Sequence, residues 1–267
     1  MMNKDMITST SNKQVKYMKA LLGSTKERAS SGCFAAEGWR MVSETPAERI
    51  RLLLLSERFA SGKTAQESLL IRELSPDRVF VVSDRVFDAI SDTRTPQGIM
   101  AAVEMEKRSP EELLRAENAL LVFLENLQDP GNLGTIVRTA ECAGATGIIM
   151  SRGTADIYNP KTVRSTMGSL YRMPFAYTED LPGVIRQARQ QGIRVFAAHL
   201  EASENYTDKD YTGSCGFVIG NEGRGLTEET ASAAEERIFI PMAGQAESLN
   251  AAVSAAILMY EALRQRS

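Results

Sequence analysis

Three short stretches of the 267-residue chain concentrate side chains that could do chemistry. The first holds Asn132 and Arg138, six positions apart, behind an Asp129-Pro-Gly131 turn. The second is Gly220-Asn-Glu-Gly-Arg-Gly225, with Glu222 inside it. The third is Ile240-Pro-Met242, followed by Glu247, Ser248 and Asn250. Asn132, Arg138, Ser248 and Asn250 offer hydrogen-bonding groups and one guanidinium suited to a phosphate. No aromatic residue among them could clamp an extruded base, so a sugar beside its phosphate fits the set better. The clustered glycines of the second stretch suggest backbone amides open to a ligand, or else a flexible loop. Ser248 has no histidine beside it, and the chain's single histidine, His199, follows a different strand. That argues against a serine hydrolase. One histidine and three widely spaced cysteines, Cys33, Cys142 and Cys215, make a poor ligand set, so no metal is expected.

These stretches need elements to hold them. Apolar runs at 120–124, 147–150, 195–198, 217–219 and 237–240 read as strands. Helical patterns near 133–143, 160–168, 181–191 and 227–235 separate them. The alternation predicts an α/β domain with a mostly parallel sheet. The first two stretches then fall where a strand ends and a loop begins, which is where open α/β sheets bind ligands. Asn132 reads as the cap of its helix, and Gly134 permits close approach. Ser248 reads as the cap of a last helix over 249–265, which leaves Asn250 unexplained by capping. Leu249, Val253, Ile257, Tyr260 and Leu263 share one face of that helix, so it packs on the sheet or on a partner. Two domains are expected, 1–105 and 119–267, joined by a charged linker over 106–118. The first carries strands near 51–55, 79–82 and 98–103. Ser61-Gly-Lys-Thr64 ends like a phosphate-binding loop, but Glu57 stands where that motif needs glycine, so it is read as a turn.

Hydrophobic residues make up 43% and charged residues 24%, as in ordinary globular proteins. No apolar run reaches 18 residues, so no membrane span is expected. The polar N-terminus and the odd, dispersed cysteines point to the cytoplasm. Net charge is −3, yet the first forty residues carry seven Lys/Arg against three acids, among them Lys13, Lys16, Lys19 and Arg40. A second basic stretch holds Arg152, Lys161, Arg164 and Arg172, while acid gathers over 201–236. Such a polarised chain can present a basic face to phosphates, or these are solvated surface residues.

In order and spacing, Asn132-x-Gly134-x-x-x-Arg138, Gly220-Asn-Glu-Gly-Arg-Gly225 and Ile240-Pro-Met242 with Ser248-Leu-Asn250 resemble the SpoU (TrmH-like) branch of the SPOUT methyltransferases. Asn159-Pro-Lys161 through Arg172-Met-Pro174 is similar to the family's middle segment. Phe34-Ala-Ala-Glu-Gly38 and Asp92-Thr-Arg-Thr-Pro-Gln-Gly98 resemble its substrate-binding extension, a small ribosomal-protein-like α/β domain. The resemblance implies a deep trefoil knot in the C-terminal sheet, homodimers, and methyl transfer from S-adenosylmethionine to a ribose 2′-hydroxyl. Ribosomal RNA is the expected substrate, with transfer RNA the alternative. It implies Arg138 as the central catalytic residue, as base or as phosphate grip, with Asn132, Ser248, Asn250 and Glu222 around it. Leu200, Gly220, Gly223, Ile240, Met242 and Leu249 match cofactor positions. Lys13, Lys16, Lys19, Arg40 and Arg164 are the expected RNA contacts. Two rivals are a base-nitrogen methyltransferase of the same superfamily and a catalytically silent RNA-binding module.

Overall fold

Residues 33–37, 50–56, 79–82 and 99–104 are apolar enough to be covered on both faces, and they pair into one four-stranded sheet. A computed structural model describes residues 6–62, 64 and 70–267 of the chain. Lys4 of the basic N-terminal stretch and Lys63 of the 61–64 segment lie outside them. The first helices are α1 (Lys13–Gly23) and α2 (Thr25–Ser31). Then come β1 (Cys33–Glu37), α3 (Trp39–Ser43), β2 (Ile50–Ser56) and α4 (Glu57–Gly62). After these follow β3 (Val79–Val82), α5 (Asp84–Ile90) and β4 (Ile99–Glu104). The strand order is β1-β4-β2-β3, with β4 antiparallel to both neighbours and β2 parallel to β3. Val15, Met18 and Leu21 of α1 pack with Leu54, Phe87 and Ile90 as the core. Strand β1 was not anticipated as an element. Ser61 and Gly62, read as part of a turn, instead end α4.

The second unit spans Lys107–Ile157 and Arg172–Ser267. Its elements begin with α6 (Pro110–Leu114), β5 (Leu120–Leu124), α7 (Pro130–Cys142) and β6 (Gly147–Ser151). The helix α8 (Pro160–Thr166) lies in Tyr158–Tyr171, which groups with the first unit. The Tyr158 ring sits 4.6 Å from that of Phe34, and its hydroxyl accepts from the Glu106 N–H at 2.9 Å. The second unit continues with β7 (Phe175–Thr178), α9 (Leu181–Gln190), β8 (Arg194–Ala198) and β9 (Glu204–Asn205). It closes with β10 (Cys215–Ile219), α10 (Glu228–Ala233), β11 (Glu236–Phe239) and α11 (Ala251–Arg266).

These seven strands form one parallel sheet in the order β7-β6-β5-β10-β8-β11-β9. The fold class is therefore α/β with a large parallel sheet, as expected. The chain builds outward from β5 to β7, then crosses to the other side, so the order reverses between β5 and β10. Helix α11 packs on α7 and on β10 and β5. The face it gives to that core is Ala251, Ala255, Leu258, Met259 and Ala262. Leu258 and Met259 are fully buried, worth roughly 1.5–3 kcal/mol each. This is not the apolar stripe picked out by periodicity. Val253 and Tyr260 of that stripe remain 46% and 49% exposed, which leaves the partner alternative for it.

Candidate active site

The reversal point places two strand ends side by side. Leu124 of β5 pairs with Ile219 of β10, so Glu125 and Gly220 emerge together. The Glu125 N–H still donates to the Ile219 carbonyl at 2.9 Å. Beyond Gly220 the loop folds back on itself. Asn221 and Gly225 exchange backbone hydrogen bonds at 3.0 and 2.9 Å. The Asn221 side-chain oxygen accepts from the Gly223 and Arg224 N–H groups at 2.9 and 3.0 Å. A Cβ on residue 220 would overlap the backbone of Gly225 and Leu226, and Gly225 itself has φ +68°. Glycine is thus required at both positions. Of the amides in this stretch, those of Gly223, Arg224 and Gly225 are spent inside the loop and are not open to a ligand. The same bonds exclude a floppy loop.

Helix α7 starts three residues before the expected position. Asp129 is its cap, accepting from the Asn132 N–H at 2.8 Å, and Pro130 occupies the first turn, where a missing N–H costs nothing. Asn132 is therefore not the cap, and its side chain is free to reach across to the second motif. Its Nδ2 donates to Glu222 Oε1 at 3.0 Å. Glu222 also accepts from the N–H groups of Gln128 and Asp129 at 3.0 and 2.9 Å. Burial pushes the Glu222 carboxyl up, but these three donors outweigh it and hold it below the ordinary glutamate value. From the third motif, Asn250 Nδ2 donates to Asn132 Oδ1 at 2.9 Å. The Asn250 side-chain oxygen meanwhile accepts from the Ala252 and Val253 N–H groups at 2.9 and 3.3 Å, so Asn250 caps α11. Capping thus falls to Asn250 and not to Ser248, and the helix begins at Ala251. The three motifs are joined through Glu222, Asn132 and Asn250. Arg138, further along α7, is exposed, as is Ser248. Neither side chain has a hydrogen-bond partner among the described residues.

Beside this chain lies a cleft of about 690 Å³. Small-molecule sites typically measure roughly 300–1,000 Å³. Leu200, Gly220, Gly223, Ile240, Met242 and Leu249 all line it, with Glu222 and Ser248. Leu200 is 65% exposed, and Met242 and Leu249 are also open to solvent. Open apolar side chains beside a glycine loop, with polar groups at one rim, suit a small organic ligand. Among the described residues no three His, Cys, Asp or Glu side chains group to hold a metal ion, and no helix is long and apolar enough to cross a membrane.

The expected RNA contacts lie in the first unit. Lys13, Lys16 and Lys19 stand on the exposed side of α1, opposite Val15, Met18 and Leu21. Arg40 is exposed, and its Nε donates to the Met167 carbonyl at 3.1 Å. Arg164 is paired with Asp92 at 2.8 Å. One member of the basic N-terminal stretch does not face solvent. Arg28 is buried and donates to the Leu21 carbonyl at 2.7 Å and to Thr25 Oγ1 at 2.8 Å, bracing the α1–α2 corner.

Sequence reasoning missed Glu125, Asn126 and Asn221. Asn126 has φ +52°, and its carbonyl accepts from Asn221 Nδ2 at 2.8 Å. An acid and an amide at the end of an otherwise apolar strand were a readable signal. Their partners, about a hundred residues away, were not. The Asp129-Pro130 pair, a common cap-and-first-turn combination, could have corrected the helix start.

A parallel sheet with a ligand-sized cleft at its reversal point, polar groups gathered at one rim, defines an α/β domain built to hold a small molecule. Residues 119–260 match the SpoU rRNA Methylase family, and residues 12–101 match the MRM3-like substrate binding domain. The chain belongs to the SpoU methylase family. It is 34% identical to the 23S rRNA (guanosine(2553)-2′-O)-methyltransferase RlmP of Bacillus subtilis, over 95% of this chain and 97% of that protein. It is 32% identical to the 23S rRNA (uridine(2479)-2′-O)-methyltransferase of Streptomyces viridochromogenes, over 96% of this chain and 91% of that one. Among solved structures, the AdoMet-bound rRNA methyltransferase of Sinorhizobium meliloti superposes with a TM-score of 0.85 at 34% identity, covering 97% of both chains.

Proposed function

We propose that the cleft holds S-adenosylmethionine between Leu200, Gly220, Gly223, Ile240, Met242 and Leu249, and that the second unit methylates a ribose 2′-hydroxyl of ribosomal RNA. One observation carries this reading: all six positions line a single cleft, beside the hydrogen-bonded chain of Glu222, Asn132 and Asn250. The relatives named for guanosine and uridine share the ribosomal substrate and the 2′-oxygen, and the reading takes over those two features. The chain is thus an S-adenosylmethionine-dependent RNA 2′-O-methyltransferase. The segments that the family's knot would tie, near 200, 219–226 and 238–254, are those that wall the cleft.

Bound there, S-adenosylmethionine supplies a methyl group already activated on a sulfonium, so the protein's work is placement and charge. Glu222 fixes the Asn132 amide, and Asn132 in turn orients Asn250, which gives the ribose a rigid polar rim. Arg138 keeps its five donors for the substrate. A guanidinium does not readily lose a proton, so its part is to grip the adjoining phosphate and stabilise negative charge growing on the 2′-oxygen. Ser248 supplies a further hydroxyl at the rim. The first unit binds the RNA through Lys13, Lys16, Lys19, Arg40 and Arg164. The exposed stripe of Val253 and Tyr260 runs on from Leu249 at the cleft, and a second copy of the chain covers it, giving a homodimer at work in the cytoplasm. Sedimentation showing only monomer at micromolar concentration would remove that last part.

The test is a target RNA with one 2′-deoxy nucleotide at the modified position. It should bind and accept no methyl. Methylation of the deoxy substrate, or label recovered on a base, replaces this reading with base methylation.

A further inference from the structure

The carboxylate of Glu125 is buried at the end of β5, and no motif accounts for it. Its Oε2 accepts from the Thr227 N–H at 2.8 Å. Its Oε1 accepts from Thr227 Oγ1 at 2.7 Å and Thr230 Oγ1 at 2.5 Å. Burying a carboxylate is costly unless its oxygens are satisfied, and here they are. Helix capping does not explain the arrangement. Thr227 already caps α10 through its own side chain, which accepts from the Thr230 N–H. What Glu125 adds is a grip on the backbone of Thr227, the residue directly after the cleft-lining Leu226.

The neighbouring residue completes the pattern. The Asn126 carbonyl holds Asn221 at the loop's entry, while Glu125 holds Thr227 at its exit. Glu222, in the middle, reaches back to Gln128, Asp129 and Asn132. Two carboxylates thus cross between the same two segments in opposite directions. One fixes the loop that walls the cleft, and the other ties that loop to the helix carrying Arg138.

We infer that Glu125 is a positioning residue for methyl-donor binding, its buried carboxylate on Thr227 and Thr230 setting the exit of the loop over 220–226. The inference rests on the cleft being the S-adenosylmethionine site. Calorimetric titration of the full chain with S-adenosylmethionine tests it. Glu125→Ala should bind the donor about tenfold more weakly, the size of one missing charge-assisted hydrogen bond. Glu125→Gln should restore affinity to within about threefold, because its amide oxygen can take the Thr227 N–H while the threonine hydroxyls turn to accept from its NH₂. Ile185→Ala, a core truncation on α9 that does not line the cleft, should lower the melting temperature and leave donor affinity unchanged. Should Glu125→Ala not fold, Thr230→Val carries the test, with about threefold weaker binding expected from removing one hydroxyl. Glu125→Ala or Thr230→Val with wild-type affinity overturns the inference. So does Ile185→Ala weakening the donor as much as Glu125→Ala does. Wild-type chain that fails to bind S-adenosylmethionine overturns the functional reading on which the inference rests.

Discussion

The loop over 220–226 and the segment over 241–250 line the same cleft, yet they treat their polar groups in opposite ways. In the loop nearly every group is spent: Asn221 on two amides, Glu222 on three donors, Gly225 on Asn221. In the other segment every residue is exposed, and Asn250 alone is tied back into the fold through side-chain hydrogen bonds. The difference separates framework from reagent. Around the cleft, the groups paired inside the fold serve as framework, whereas Arg138 and Ser248, left open, can take a ligand. The first unit shows the same contrast between buried Arg28 and the open lysines of α1.

The largest effect should come from the exposed guanidinium on α7. Arg138→Ala should lower turnover by roughly 10²–10³ while leaving the calorimetric affinity for S-adenosylmethionine unchanged. A matching loss of donor affinity would erase the distinction, because Arg138 would then belong to the framework. Next come the open lysines. Reversing the charge of Lys13, Lys16 and Lys19 should flatten the salt dependence of RNA binding, by about 0.7–0.9 in log–log slope for each phosphate no longer neutralised. Reversing Lys26 alone is the gentler comparison, and an unchanged slope in the triple variant would make those lysines mere solvated surface.

A smaller effect separates the two polar residues at the start of α11. Asn250→Ala removes a cap that holds two amides and should cost about 1 kcal/mol in a urea titration. Ser248→Ala should leave the midpoint in place and lower turnover alone. Equal midpoint shifts would show that Ser248 is framework after all. The smallest effect belongs to Glu222. Its carboxyl lies below the ordinary value of 4.5, so its contribution to folding is complete above that pH and fades as pH falls through the lower folded-state value. Melting curves of the wild type and Glu222→Gln should therefore differ by a constant amount from about pH 5 to 8 and converge in more acid solution. A gap that widens toward acid would contradict the three hydrogen bonds that Glu222 accepts.

Elements whose signal is local were legible in the sequence. Leu120–Leu124 is apolar at every position and is buried at every position, and its boundaries were read correctly. Helices α9 and α10 fell close to their expected ranges for the same reason. Strand β7 was missed because four residues following a proline carry little periodicity. The caps were misassigned because asparagine, serine and aspartate are near-equal at that position, and only the backbone path decides among them. For α11 the periodic stripe was real, but its small-residue face, rich in alanine, is the one that fits against α7.

The sequence by itself determined which residues could act: the spacing from Asn132 to Arg138, the glycines at 220 and 225, and the polar pair Ser248 and Asn250. It also determined the alternation that makes a parallel sheet, since periodicity is a property of neighbours along the chain. Only the tertiary structure decided who holds whom. Asn132 meets Glu222 and Asn250 from positions 90 and 118 residues away, and Glu125 meets Thr227 across 102. Nothing in a linear pattern encodes such pairs. They arise because β10 enters the sheet beside β5 after the chain has crossed from the far edge, bringing two strand ends to one point where each polar group must find a partner, wait for a ligand or face water.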